Sequence, residues 1–221
     1  MDIKEIFLTL TKETNPYGTE DQLIKYLPRD LKKDSYGNYY TEIGLSKTVF
    51  SCHLDNACKN QTNVSHKFDG DFIKTDGKSI LGADDKSGLS ILLNLIDNKI
   101  PGLYYFFIGE EVGCVGSSQA SLEIKKFDKY NRMICFDRKD TGSIITHQSF
   151  ERTCSDIFAD SLINEYKKHG IFYKKDDGGV YTDSAEFKYI IPECTNLSVG
   201  YYSEHTNCEK QNISFLSNLA V

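Results

Sequence analysis

From Leu103 to Ile108 the chain reads Leu-Tyr-Tyr-Phe-Phe-Ile, an apolar run with no polar break. It is too short for a buried helix and shows no alternation, so it predicts a strand covered on both faces. Such a strand needs a layer above it and a layer below it. The neighbouring segments can supply them. Asp84 to Asp97 has helical apolar spacing at Leu89, Ile91, Leu92 and Leu95, and Asp156 to His169 repeats it with Phe158, Leu162 and Tyr166 before Gly170. Short strands are expected over Lys47–Cys52, Met133–Phe136 and Leu197–Tyr201. Strands alternating with helices predict an α/β sheet covered on both sides.

The remaining segments fit around that sheet. Asp2 to Lys12 predicts a helix with Ile3, Ile6, Phe7 and Leu10 on one face. Asn15-Pro16-Tyr17-Gly18 is a turn, and Thr19 is expected to cap a second helix that Pro28 disturbs. Hairpins are expected over Tyr36–Ile43, around Gly37-Asn38, and over Val64–Lys74, around Asp69-Gly70. Helices are expected over Ser117–Lys126, Thr182–Ile190 and Asn212–Val221. No repeat or linker interrupts the chain, so residues 1–221 are expected to form one domain.

A net charge of −6 argues against a nucleic-acid partner held by phosphate contacts. The apolar run in Met1–Leu10 is short and broken by charge, unlike a secretory signal, and no stretch is long and apolar enough to cross a bilayer. The expectation is a soluble, cytoplasmic protein without a membrane partner. Its seven cysteines include no CxxC pair, and several sit in apolar runs, which predicts reduced thiols rather than a disulfide framework.

Polar groups gather at the ends of the buried strands. Thr-Val-Phe-Ser-Cys52 leads into His53-Leu-Asp55. The run at Leu103–Ile108 leads into Gly109-Glu110-Glu111, Met133–Phe136 into Asp137, and the last strand into Glu204-His205. The loop before the Asp84–Asp97 helix carries Gly82-Ala-Asp84-Asp85. In an open α/β sheet, ligands bind outside the carboxyl ends of the strands. Any one of these pieces reads as a surface pair, a solvated turn or a helix cap. Five of them converging on one sheet edge predict a metal centre, and the mixed imidazole and carboxylate set suits zinc. A two-metal centre needs a carboxylate shared by both ions and a separate carboxylate to take a proton from water. The set is large enough for both.

In this order, H-x-D, G-A-D-D-K-S-G, G-E-E-x-G-x-x-G-S, F-D and H-T-x-x-E, the motifs span His53 to Glu209. They resemble the co-catalytic dinuclear zinc exopeptidases, the superfamily of peptidase T, bacterial leucyl aminopeptidase and glutamyl aminopeptidase. The resemblance implies a three-layer α/β/α fold with a central mixed, mostly parallel sheet. It implies two Zn2+ per chain, for which Co2+ or Mn2+ are possible substitutes. His53 and Asp137 would bind one ion, Glu111 and His205 the other, and Asp84 both. Glu110 would be the general base. Asp55 would hold the ring of His53, and Asp85 would support a cis peptide after Asp84. Glu209 would stand behind the ligands.

Asp at position 137 resembles the aminopeptidase and dipeptidase branch. The short spans His53–Asp84 and Arg138–Glu204 leave little room for the lid or dimerisation domain found in many relatives, so a bare catalytic domain is expected. Thr182-Asp183-Ser184 resembles a substrate-side motif, with Asp183 a candidate substrate contact, and reads equally as a helix cap. Arg138 would meet a substrate carboxylate or pair with nearby acids. Cys208 is expected to be a buried thiol near the site; His66 and His147 match no ligand. The implied activity is hydrolysis of N-terminal peptide bonds on a peptide or aminoacyl substrate. The alternatives are an amino-acid deacylase, a glutaminyl-cyclase-like acyl transfer, or a non-catalytic peptide-binding protein. Oligomeric state and side-chain specificity are open at this stage.

Overall fold

A computed structural model describes residues 2–220. In chain order the elements are α1 (Ile3–Leu10), a 3₁₀ helix (Glu20–Tyr26), β1 (Lys32–Lys33), β2 (Tyr39–Ile43), β3 (Thr48–His53), β4 (Lys67–Asp69), β5 (Phe72–Lys74), α2 (Ala83–Asp97) and β6 (Gly102–Phe107). Then follow α3 (Val115–Ala120), α4 (Ile124–Phe127), β7 (Arg132–Arg138), β8 (Ser143–Ile145), β9 (His147–Gln148), β10 (Glu151–Arg152) and α5 (Asp156–Lys168). The chain continues through β11 (Lys174–Asp176), a second 3₁₀ helix (Asp183–Phe187), β12 (Glu193–Ser198), β13 (Tyr201–Tyr202), β14 (Lys210–Asn212) and α6 (Ile213–Leu219).

Eight strands form the central sheet in the order β1-β2-β6-β3-β7-β12-β8-β11. The middle, β6-β3-β7-β12, is parallel; β1 and β2 add an antiparallel edge, and β8 runs against β12. The run predicted as a doubly covered strand is β6, and its alternate residues enter two different cores. Tyr104 and Phe106 pack with α1, α2, α5 and α6, whereas Leu103, Tyr105 and Phe107 pack with Ala120, Phe127 and Phe187. That division is the three-layer α/β/α arrangement implied by the motifs.

Local chemistry changes several predicted boundaries. The Asp34 carboxylate accepts from Tyr36 N, Asn38 N and Asn38 Nδ2, so the first hairpin turns there and pairs Lys32–Lys33 with Tyr39–Tyr40. Thr19 makes no side-chain cap, and the segment after it is a 3₁₀ helix. The helix predicted over Ser117–Lys126 is two short ones. Ser117, Ser118 and Ser121 donate their hydroxyls to carbonyls three residues back, competing with the helical ladder. The predicted last strand is longer at its start and breaks at Gly200, whose φ of 94° turns the chain into β13 of a separate four-stranded sheet. The C-terminal helix is α6; the predicted end at Val221 lies outside the described residues. No helix among the described residues is long and apolar enough to cross a membrane. The seven thiols are all free.

One close approach fixes the turn after β6. A Cβ on Gly116 would stand 2.0 Å from Asn38 Oδ1 and 2.7 Å from Ile108 O. Gly116→Ala is therefore expected to destabilise the fold by about 1–3 kcal/mol through overpacking, read as a lower denaturant midpoint; an unchanged midpoint would show that the turn can relax.

Candidate active site

Three parallel strands end at the same edge and deliver the site. His53 closes β3, Glu110 and Glu111 follow β6, and Asp137 lies near the end of β7. Asp84 comes from the loop entering α2, where Asp84 and Asp85 have non-helical backbone angles and the peptide bond between them is cis. His205, with a φ of 62°, comes from the turn after β13.

Asp84 stands at the centre. Its Oδ1 lies 3.0 Å from His53 Nε2, and its Oδ2 lies 3.1 Å from His205 Nε2. Asp137 Oδ1 is 3.6 Å from His53 Nε2, and Glu111 Oε1 is 3.1 Å from His205 Nε2. Two groups result, His53–Asp84–Asp137 and Asp84–Glu111–His205, each with its donor atoms within 4.8 Å of one another. The five residues are those that the sequence motifs single out as ligands.

The donor set fits divalent cations. Glu111 Oε1 is buried and accepts no hydrogen bond among the described residues, though an imidazole nitrogen lies beside it. A buried acceptor without a donor, grouped with two other candidate ligand atoms, is suited to a cation. The field of the carboxylates is strong. The Asp84 and Glu111 carboxylates beside it push the His205 pKa up to about 11. Burial opposes a charge on His53, yet Asp137, Asp55 and Asp84 hold its pKa well above the usual histidine range. Imidazole nitrogen and carboxylate oxygen together suit Zn2+, Co2+ or Mn2+.

Glu110 belongs to neither group and lines the adjoining pocket of about 240 Å³. Burial, reinforced by Asp137, Asp183 and Asp84 against the opposing effect of His53, pushes its pKa up to about 9. Asp55 is wholly buried and does two things. Its carbonyl lies 3.0 Å from His53 Nδ1, with Oδ1 at 3.5 Å. Its carboxylate also accepts from Glu110 N at 3.0 Å and Glu111 N at 3.2 Å. One carboxylate thus anchors the backbone that sends two neighbouring glutamates to different places.

Other supports escaped the sequence reading. Asp137 accepts from Thr182 Oγ1 at 2.7 Å and Tyr201 OH at 3.1 Å, and Asn196 bonds both its N–H and its carbonyl. Thr182 therefore serves Asp137 and does not cap the following 3₁₀ helix. Asp183 is a correction. It is wholly buried, outside the pocket lining, and neither carboxylate oxygen has a hydrogen-bond partner among the described residues, so it offers no surface to a substrate. Burial pushes its pKa up to about 8. Cys208 is exposed rather than buried, because Thr206 Oγ1 accepts from its N–H and the turn points outward. The thiol beside the site is Cys114, whose Sγ is 3.8 Å from Glu110 Oε1. His66 bonds to Thr11 and His147 to Thr146, and neither joins a cluster.

Asp85 accepts from His53 N at 3.2 Å and Gly88 N at 3.0 Å. Glu209 accepts from Leu81 N, Gly82 N and Asp84 N at 2.7, 2.8 and 3.1 Å. It thereby ties the loop carrying Asp84 to the turn carrying His205. Glu209→Gln puts an amide against these donors. It is expected to weaken zinc binding at both groups by roughly 10–100-fold, as lost supporting residues do, measured by chelator competition. Unchanged zinc affinity with a lower melting temperature would limit Glu209 to a purely structural role.

Solved structures share this fold. The aminopeptidase PepT of Bacillus cereus superposes with a TM-score of 0.82 at 15% identity, over 99% of this chain and 96% of that one. The TET1 peptidase of Pyrococcus horikoshii gives 0.72 at 17% identity, over 99% and 97%. A tripeptidase of Staphylococcus aureus gives 0.70 at 18% identity, over 99% and 95%. No family model matches the chain, and no curated protein matches it. The class defined by the likeness is architectural: the chain has the fold of these peptidases.

Proposed function

We propose that the protein is a dinuclear metallo-exopeptidase that removes N-terminal residues from peptides, acting as an aminopeptidase or dipeptidase. The observation that carries this reading is the Asp84 carboxylate, with one oxygen against His53 and the other against His205, beside a pocket that Glu110 lines. The fold shared with an aminopeptidase and a tripeptidase supports it. Residues 1–221 are read as one catalytic unit without an inserted lid.

In this reading His53 and Asp137 would hold one ion, Glu111 and His205 the second, and Asp84 would serve both. When bound, two divalent cations lower the pKa of water and polarise the scissile carbonyl. The protein's own residues do the rest. Asp55 and Asp85 fix the backbone and ring of His53, so the ligand needs no rearrangement. Glu110 takes a proton from the attacking water and returns it to the leaving nitrogen as the C–N bond breaks. Its burial favours the protonated form, an effect that cations bound beside it would offset, leaving the carboxylate free to accept that proton.

The test is hydrolysis of an aminoacyl-4-nitroanilide panel, unmodified dipeptides and N-acyl amino acids by the zinc-loaded protein. Release of N-terminal residues is expected. Cleavage confined to the N-acyl compounds would move the assignment to a deacylase, and tight peptide capture without cleavage would make it a binding protein.

A further inference from the structure

The pocket beside the acidic cluster also has cationic residues in its lining. Arg138 and Lys139 line it together with Asp137 and Glu110. In an unbroken strand, Asp137 and Arg138 would point to opposite faces. Both nevertheless line this pocket, which opens at the end of β7 where the strand carries a bulge. Asn196 pairs with Cys135 and Ser198 with Arg138, so one residue of β12 stands opposite two of β7. Bulges of this kind re-aim side chains next to active sites. A cationic residue and a candidate metal ligand, neighbours in sequence, thus share the lining of one pocket.

The guanidinium is held from behind. Arg138 Nη2 donates to Asp176 Oδ2 at 3.3 Å and to Gly178 O at 3.4 Å. Asp176 is itself fixed, accepting from Ser143 Oγ at 2.7 Å and from Gly178 N at 2.8 Å. One nitrogen of the fork thus carries both contacts, and the side chain keeps 17% of its surface exposed. A planar fork fixed on one side presents its other donors in a geometry matched to a carboxylate. Lys139 is more occupied, its Nζ lying 2.7 Å from Glu204 Oε1.

We propose that Arg138 determines specificity by receiving a carboxylate of the substrate, which makes carboxylate-bearing short peptides the preferred substrates. This rests on the peptidase reading above. The carboxylate is either the free C-terminus of a dipeptide or tripeptide, or an acidic side chain. A pocket of about 240 Å³ suits a short substrate. The competing role for Arg138 is a simple tether between β7 and the Asp176–Gly178 turn.

The experiment compares kcat/KM of the zinc-loaded wild type and of Arg138→Met on alanyl-alanine, alanyl-alanine amide, glutamyl-alanine amide and alanyl-glutamic acid amide. A wild-type preference of at least about tenfold for a carboxylate-bearing peptide over alanyl-alanine amide is expected, the scale of one charge-assisted contact. Arg138→Met should bring that ratio close to one. Preference for alanyl-alanine identifies the C-terminal carboxylate as the partner; preference for either glutamate-bearing amide identifies the side chain. A wild-type ratio near one, or a ratio that survives in Arg138→Met, overturns the proposal and leaves Arg138 as a tether, with peptide hydrolysis intact. If no peptide is cleaved, calorimetry with zinc-loaded Glu110→Gln decides: equal dissociation constants for alanyl-alanine and its amide overturn carboxylate recognition, and at least tenfold tighter binding of alanyl-alanine upholds it.

Discussion

Glu110→Gln is expected to lower kcat by about 10²–10⁴-fold, the range for loss of a positioned general base, while zinc content stays at the wild-type level. The reason lies in the division of labour after β6. Glu111 joins His205 and Asp84, whereas Glu110 stays outside both clusters and faces the pocket. The amide keeps the size of the side chain but cannot take up the proton. Asp55 holds the backbone N–H groups of both residues, so the variant should leave Glu111 where it is. Steady-state kinetics and metal analysis on the same preparation check both halves. Near wild-type turnover would assign the proton transfer to another group; lost zinc would make Glu110 a ligand.

Asp84→Ala should have the largest effect on the metal centre, because each oxygen of Asp84 serves a different cluster. Both ions are expected to be lost, with affinity falling well beyond the roughly 10–100-fold of a lost supporting residue, and hydrolysis falling to background. Glu111→Ala is the control. It removes a donor from one group only, so one ion per chain should remain on His53, Asp84 and Asp137. Equal zinc loss in the two variants would show that the groups fill as a single unit. One ion retained in Asp84→Ala would remove Asp84 from its shared role.

The sequence shows the ligands for a physical reason. A carboxylate or imidazole directly after a run such as Leu103–Ile108 has to be accommodated at the end of a buried strand, and few environments accept it. His53, Glu111, Asp137 and His205 were visible in that way, Asp84 stood in the loop before a helix, and the order of the motifs suggested a role for each. The doubly covered sheet was legible because β6 has no polar side to show to water. The support around the ligands was legible only in part: the motifs marked Asp55, Asp85 and Glu209, and nothing marked the rest. Thr182 and Tyr201, which hold Asp137, are neutral hydroxyls 45 and 64 residues away from it along the chain, and no local pattern announces such bonds. Asp55 showed only half of its role, since its grip on Glu110 and Glu111 runs through their backbone N–H groups. The serine bonds along α3, and the bulge in β7 next to Arg138, depend on backbone geometry that apolar spacing does not encode.

The central claim is that Asp84 joins two metal sites in one chain. Zinc analysis of the wild-type protein, saturated with zinc and then freed of excess metal, tests it most directly. The account predicts about two zinc ions per chain, as a co-catalytic centre requires. Absence of tightly held zinc, or a stoichiometry of about one that Glu111→Ala leaves unchanged, would contradict it.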